Sequence, residues 1–225
     1  MDFSGRFPVD LVLFALIAVF LVLRLRSVLG RKVGFQPGMT RPVPAPEAPG
    51  PVVEAQAEPV KNAAFDIPAP NTRLGQILSS LVGLDASFVP QQFLTGVEGA
   101  FRQVVTAFAA GDRSTLQARL TPEAFAAFDS VITSREQAGE TQRSEIRAVH
   151  TLAIQDVRQK SLEAGTAVEI DVRIESDQIS MTLDKDGQPS AGTDAVTEFS
   201  DLWTFVRLFS GSGSSAWRLA AARSA

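Results

Sequence analysis

The sequence predicts an α+β fold, with helices packed on one face of a curved antiparallel sheet and a single N-terminal transmembrane helix ahead of them. Three observations predict it. Apolar residues run unbroken from Leu11 to Leu23. They then recur at three- and four-residue steps between residues 74 and 132. From about residue 143 they alternate with polar ones. The first pattern suits a lipid-exposed helix, the second helices with one buried stripe, and the third half-buried strands. Helices that precede a block of strands cover one side of a sheet instead of winding through it.

The thirteen apolar residues Leu11–Leu23 make a helix of only about 20 Å, but Phe7 to Leu25 reaches about 28 Å, near the roughly 30 Å bilayer core. Leu11, Phe14, Ile17, Phe20 and Leu23 are its apolar body, and no polar face interrupts it as it would in a buried soluble helix. Asp10 falls near one interface, and Arg24 can snorkel to the other. A secretory signal has the opposite order, with positive charge first and a small-residue cleavage site last. Here Arg24, Arg26, Arg31 and Lys32 follow the apolar run as a basic collar. Positive charge stays cytoplasmic, so residues 1–34 read as an anchor with its N-terminus outside and the remaining chain inside. Each collar residue can also contribute about 1 kcal/mol of attraction to anionic lipid.

Residues 35–70 hold nine of the thirteen prolines. Proline removes backbone donors, so this segment is expected to form neither helix nor sheet ladder and to serve as an extended spacer. Residues 71–89 read as a short connecting helix, capped by Asn71 or Thr72, with Leu74, Ile77, Leu78 and Leu81 on one face and Gly83 as its stop.

The domain proper is expected over 90–225. After Pro90, Phe93, Val97, Phe101, Val104, Val105 and Phe108 form one core-facing stripe. Gly111 stops that helix and Asp112 caps the next. Thr121, Pro122 and Glu123 open a further helix with Phe125, Phe128 and Ile132 inward, ending near Ala138 at Gly139. Arg143 to Arg158 reads as a strand without clear alternation. Val168, Ile170, Val172 and Ile174 alternate with Glu169, Asp171, Arg173 and Glu175, and Ile179, Met181 and Leu183 with Ser180 and Thr182. The "KDGQ" stretch at 185–188 marks a hairpin. A long strand follows through Val196 to Phe209, and Trp217 with Leu219 closes a final one. Such a sheet encloses a cone-shaped cavity under the long helix, as in the nuclear-transport-factor-like fold.

Composition narrows the chemistry. There is no Cys and no Tyr, and His150 is the lone imidazole, with Asp156 or Asp171 as its conceivable partners. Thiol nucleophiles, disulfides, Cys-ligated metals and zinc sites built on two histidines are excluded. The charge is −4 overall but +3 over residues 1–34 and −5 over 71–225, which argues against nucleic acid as the main partner. Glu169, Asp171 and Glu175 read as a solvated strand face. Arg135 and Glu136, at a helix end, are candidates for a partner contact. Phe101, Trp203, Arg207 and Trp217 are partner or cavity candidates, and each indole N–H needs an acceptor if buried.

The stretches "LRLRSVLGRKVG", "GVEGAFRQVVTAFAAGDRSTL", "FDSVITSREQAGE" and "DLWTFVR" with the terminal "WRL" resemble the Tim-forty-four-like domain family, in bacteria the TimA-type adaptors. The resemblance implies an α+β domain related to the nuclear-transport-factor-like fold, association with the bacterial inner membrane and no enzymatic activity; no cofactor or metal is expected. It implies protein partners of the kind relatives serve: a DnaK-type chaperone, a translocon or a ribosome. An adaptor that recruits such partners is the first expectation. A membrane-tethered binder of a lipid or small ligand, or an enzyme using the cavity, is the alternative.

Overall fold

Three of the four α-helices begin on a side-chain cap, and two end on a left-handed glycine. The computed structural model describes residues 63–210 and 213–225, so the apolar run, the basic collar and the chain up to residue 62 lie outside the described residues. Thr72 caps α1 (Arg73–Ser80), its hydroxyl oxygen accepting from the Gly75 N–H at 3.0 Å. A 3-10 turn, Leu81–Gly83, follows. Helix α2 (Pro90–Ala110) starts on a proline, whose missing N–H costs nothing there, and ends at Gly111 in the left-handed region with φ 70°. Asp112 caps α3 (Arg113–Arg119) through the Thr115 N–H at 3.1 Å. Helix α4 (Pro122–Ala138) repeats the pattern, with a Thr121 cap, proline first and Gly139 last. Among the described residues no helix is long and apolar enough to cross a membrane.

The strands are β1 (Ala64–Asp66), β2 (Thr141–Leu162), β3 (Gly165–Leu183), β4 (Pro189–Ser210), β5 (Gly213–Ser214) and β6 (Arg218–Ser224). They form one sheet in the order β1-β2-β3-β4-β5, with β6 also pairing with β4. All pairs are antiparallel except β1 with β2.

Two expectations change. The proline-rich segment does make sheet ladder at its end, where Ala64–Asp66 pairs with Thr151–Ala153. Residues 60–67 contain no proline, so their backbone donors are free to pair. The two short strands expected between 168 and 183 are one continuous β3. Strand β2 carries register shifts at Ile146/Ala148, Val149/Thr151 and Ile154/Asp156. Each shift moves the alternation by one residue, which is why 143–158 shows no clean period, and such bulges curve a strand.

The core lies between α2 and the concave face of the sheet. Phe93, Val97, Phe101, Val104, Val105 and Phe108 are all buried, as their spacing predicted. They meet Val168, Ile170, Val172 and Ile174 of β3 and Trp203 and Phe205 of β4. Phe101 packs edge-on against Trp203, with ring centroids 4.9 Å apart. The β3–β4 hairpin turns at Gly187 (φ 74°), with the Asp184 carboxylate accepting from the Asp186 and Gln188 N–H groups at 2.9 Å.

Candidate binding cleft

The inward register of β3 stays apolar only as far as Ile174. Ser176 and Gln178 come next on that face, both fully buried, with the Gln178 amide donating to the Ser176 hydroxyl at 2.9 Å. Beyond them a cleft of about 350 Å3 opens between the last turns of α4 and the sheet. Val131, Ser134, Arg135 and Ala138 of α4 form one wall, and Phe108 closes it from α2. The opposite wall is Gln142 of β2, Ser180 and Thr182 of β3, and Ser190 and Phe199 of β4.

Arg135 and Glu140 are the charged residues among those lining the cleft. The Arg135 guanidinium lies 4.7 Å from the centre of the Phe108 ring and donates to the Phe108 carbonyl at 2.6 Å. That carbonyl belongs to the last turn of α2, where the helix dipole favours a cation. A second N–H group donates to the Gln142 side-chain oxygen. Nε is buried without a hydrogen-bond partner. Among the described residues no carboxylate pairs directly with Arg135; burial pushes its pKa below the usual arginine value, opposed at longer range by Glu136 and Glu140.

The other candidates are placed elsewhere. Glu136 pairs with Arg113 at 2.8 Å, and Arg113 also holds Asp129 at 2.6 Å, so this trio clamps α3 to α4. Phe101 and Trp203 are core residues, and the Trp203 indole N–H has no partner despite its burial. Arg207 pairs with Asp85 at 3.0 Å and lies 4.8 Å from the Phe209 ring centre. Trp217 packs on Phe93 with centroids 4.9 Å apart. Arg207 and Trp217 therefore tie the 84–89 loop and the start of α2 to β4. Of the six, Arg135 alone lines the cleft.

The convex sheet face corrects one further expectation. Glu169 and Glu175 are half-exposed, but Asp171 is only 7% exposed. It accepts two bonds from Arg158, at 2.8 and 2.9 Å, and one from the Thr204 hydroxyl at 2.7 Å. Arg158 also reaches Asp156 at 2.7 Å and Glu169 at 3.1 Å. His150 is exposed and pairs with Asp177 at 2.9 Å, rather than with Asp156 or Asp171.

The cleft's hydroxyl wall was missed at the level of sequence, although a signal existed. Extending the inward alternation of Val168–Ile174 by three steps names Ser176, Gln178 and Ser180. A stripe that turns from aliphatic to polar on a buried face marks where a core opens into a cavity.

The family model described as "Tim44-like domain" matches residues 74–224. Comparison with curated proteins finds no match. Among solved structures, the intermembrane space region of the chloroplast protein ARC6 is similar at 11% identity and a TM-score of 0.39, covering 58% of this chain and 96% of that one. An NTF2-like family protein from Streptomyces avermitilis is similar at 15% identity and a TM-score of 0.31, covering 60% of this chain and 96% of its own.

Proposed function

We infer the role of this protein from one premise: the chain belongs to the Tim44-like domain family. Membership points to a membrane-associated role in protein interaction. The finer reading is a membrane-anchored adaptor that recruits protein partners to the cytoplasmic face of a bacterial inner membrane. Those partners would be a DnaK-type chaperone, a translocon or a ribosome.

The observation that carries this reading is the order of parts along one chain. An unbroken apolar run, a basic collar and a proline-rich spacer precede the family-matched domain. At polyproline pitch a spacer over residues 35–62 would reach about 90 Å. That length lets the domain search a zone near the membrane for partners while the anchor keeps it there. The role is binding rather than catalysis: with one His, no Cys and no Tyr, few side chains suited to proton transfer or nucleophilic attack are present.

The test is in-cell crosslinking with mass spectrometry, comparing the full chain with one lacking residues 1–34. Recurrent chaperone, translocon or ribosomal partners of the full chain, lost without the anchor, are the expected result. The cleft favours a second reading, a tethered binder of a lipid or small ligand. A metabolite or lipid bound in the domain, with no recurrent protein partner, would establish that reading and overturn the first.

A further inference from the structure

We propose that the cleft between the last turns of α4 and the polar ends of β2, β3 and β4 binds a carboxylate carried on an extended peptide, with Arg135 as its cationic contact. The inference rests on the reading of this domain as a protein-binding module. Four observations carry it.

Arg135 is the first. Arg113, Arg158 and Arg207 each hold a carboxylate at 2.6–3.0 Å. Arg135 is half-buried at the cleft, yet its acceptors are neutral, a backbone carbonyl and an amide oxygen. Those two bonds leave most of the guanidinium's donors unused. A partly desolvated cation is costly unless an anion meets it, and a charge-assisted bond formed there is stronger than one in water.

The second is the chemistry of the walls. Ser190 already donates to Glu140 and the Thr182 carbonyl, and Gln142 bonds Arg135 and Ser144. The hydroxyls of Ser134, Ser180 and Thr182 can pair with the N–H and C=O groups of a peptide. An alkyl chain would cover them without satisfying them, which is expensive.

Glu140 supplies the third. It lies on the same cleft as Arg135 and is half-buried. A bare anion is repelled by it, whereas a peptide can place its carboxylate on Arg135 and donate an N–H to Glu140.

The fourth is the sheet edge. β6 pairs with β4 at residues 201–206, and β5 pairs with it at 209–210. Over residues 189–198 no described strand lies on that side of β4. Val196, 54% exposed, sits on this stretch, and Ser190 and Gly192 of the same stretch line the cleft. An extended segment can add to such an edge through main-chain bonds and turn its carboxylate into the neighbouring pocket. The cleft volume of about 350 Å3 falls at the small end of ligand pockets, room for two or three residues.

Affinity selection on the immobilised full-length chain, in mild detergent, tests this with three random hexapeptide pools. One has a free C-terminal carboxylate, one is amidated with a fixed internal Asp or Glu, and one is amidated without acidic residues. At least tenfold greater retention of either carboxylate pool over the third is expected, and which pool is retained identifies the carboxylate as terminal or side-chain. Arg135→Gln should abolish the preference and Arg135→Lys should keep part of it. Because Arg135 also supports Phe108 and Gln142, Ala138→Trp is the independent variant: it fills the cleft from an exposed position and should abolish retention in a folded chain. Equal retention of all pools, retention unchanged in Arg135→Gln and in Ala138→Trp, no retention by the wild type, or tighter retention of decanoic acid than of any peptide would each overturn the proposal. If the wild type shows no preference for carboxylate peptides yet crosslinks recurrent protein partners in cells, the cleft proposal fails and the adaptor reading stands. If the wild type selects carboxylate peptides but captures no protein in cells, the adaptor reading fails and the cleft proposal stands.

Discussion

Gly75 has no side chain because the incoming chain leaves no space for one: a Cβ there would lie 2.0 Å from the Ala69 carbonyl oxygen. In an open helix Gly→Ala is stabilising by about 0.5–1 kcal/mol. Gly75→Ala should instead destabilise the domain by about 1–3 kcal/mol, as overpacking does, and urea unfolding reads the sign directly. Asp171 carries a different constraint. Burial alone would raise its pKa, but the bonds from Arg158 and Thr204 outweigh that and hold it below the ordinary 3.8. A carboxylate depressed in the folded state contributes stability above its unfolded pKa and loses it as pH falls through the folded one. Hydrogen bonds from Thr115 and Ser114 likewise lower Asp112 to about 2. The melting temperature should therefore drop between about pH 4 and pH 2, as the depressed carboxylates protonate. Asp171→Asn should cost about 1–3 kcal/mol at pH 7, discounted because Arg158 reaches solvent, and should flatten that acid drop. Differential scanning calorimetry from pH 2 to 7 checks both. An unaltered pH profile in the variant would remove Asp171 from the acid response.

Helix α2 is where sequence periodicity and tertiary packing agree. Its apolar stripe faces the concave sheet, and its outer side carries the partly exposed Glu98–Arg102 pair at 2.9 Å. Phe101→Ala, which empties the site under Trp203, should cost about 3–5 kcal/mol. Glu98→Ala, by contrast, should change stability by less than about 0.5 kcal/mol, because exposed i,i+4 pairs contribute little. Chemical denaturation of the two variants separates core from surface on one element. Strand β2 shows the opposite case. Its three register shifts scramble the alternation that would identify it, so its bends follow from the sheet it joins rather than from its own residues. Strand β1 was missed because prolines on both sides outweighed a proline-free run just long enough to pair with Thr151–Ala153. The caps at Thr72, Asp112 and Thr121 and the stops at Gly111 and Gly139 were legible because each acts within about one helical turn.

For the whole molecule, β1 sets where the folded domain starts. A fragment of residues 63–225 should fold and stay soluble, and a fragment of 71–225, lacking β1 and the strap over Gly75, should melt measurably lower. Equal melting temperatures by circular dichroism would mean that β1 adds nothing to the domain. Replacing Arg24, Arg26, Arg31 and Lys32 together by Ala should disturb membrane orientation more than stability, with protease accessibility of the C-terminal domain in vesicles as the readout. Unchanged accessibility would end the collar's proposed role. The order of the helices and of the long strands, the caps at Thr72, Asp112 and Thr121 and the stripe that forms the core were determined by the sequence itself. Those features depend on neighbours three or four residues apart in a helix and two apart in a strand. The inward alternation of β3 flags one polar wall of the cleft, but the cleft as a site was decided by tertiary structure. It brings residues 108, 135, 142, 180 and 190 together from five elements. Their meeting depends on strand register, on the bulges in β2 and on the docking of α4, which no short window of sequence contains.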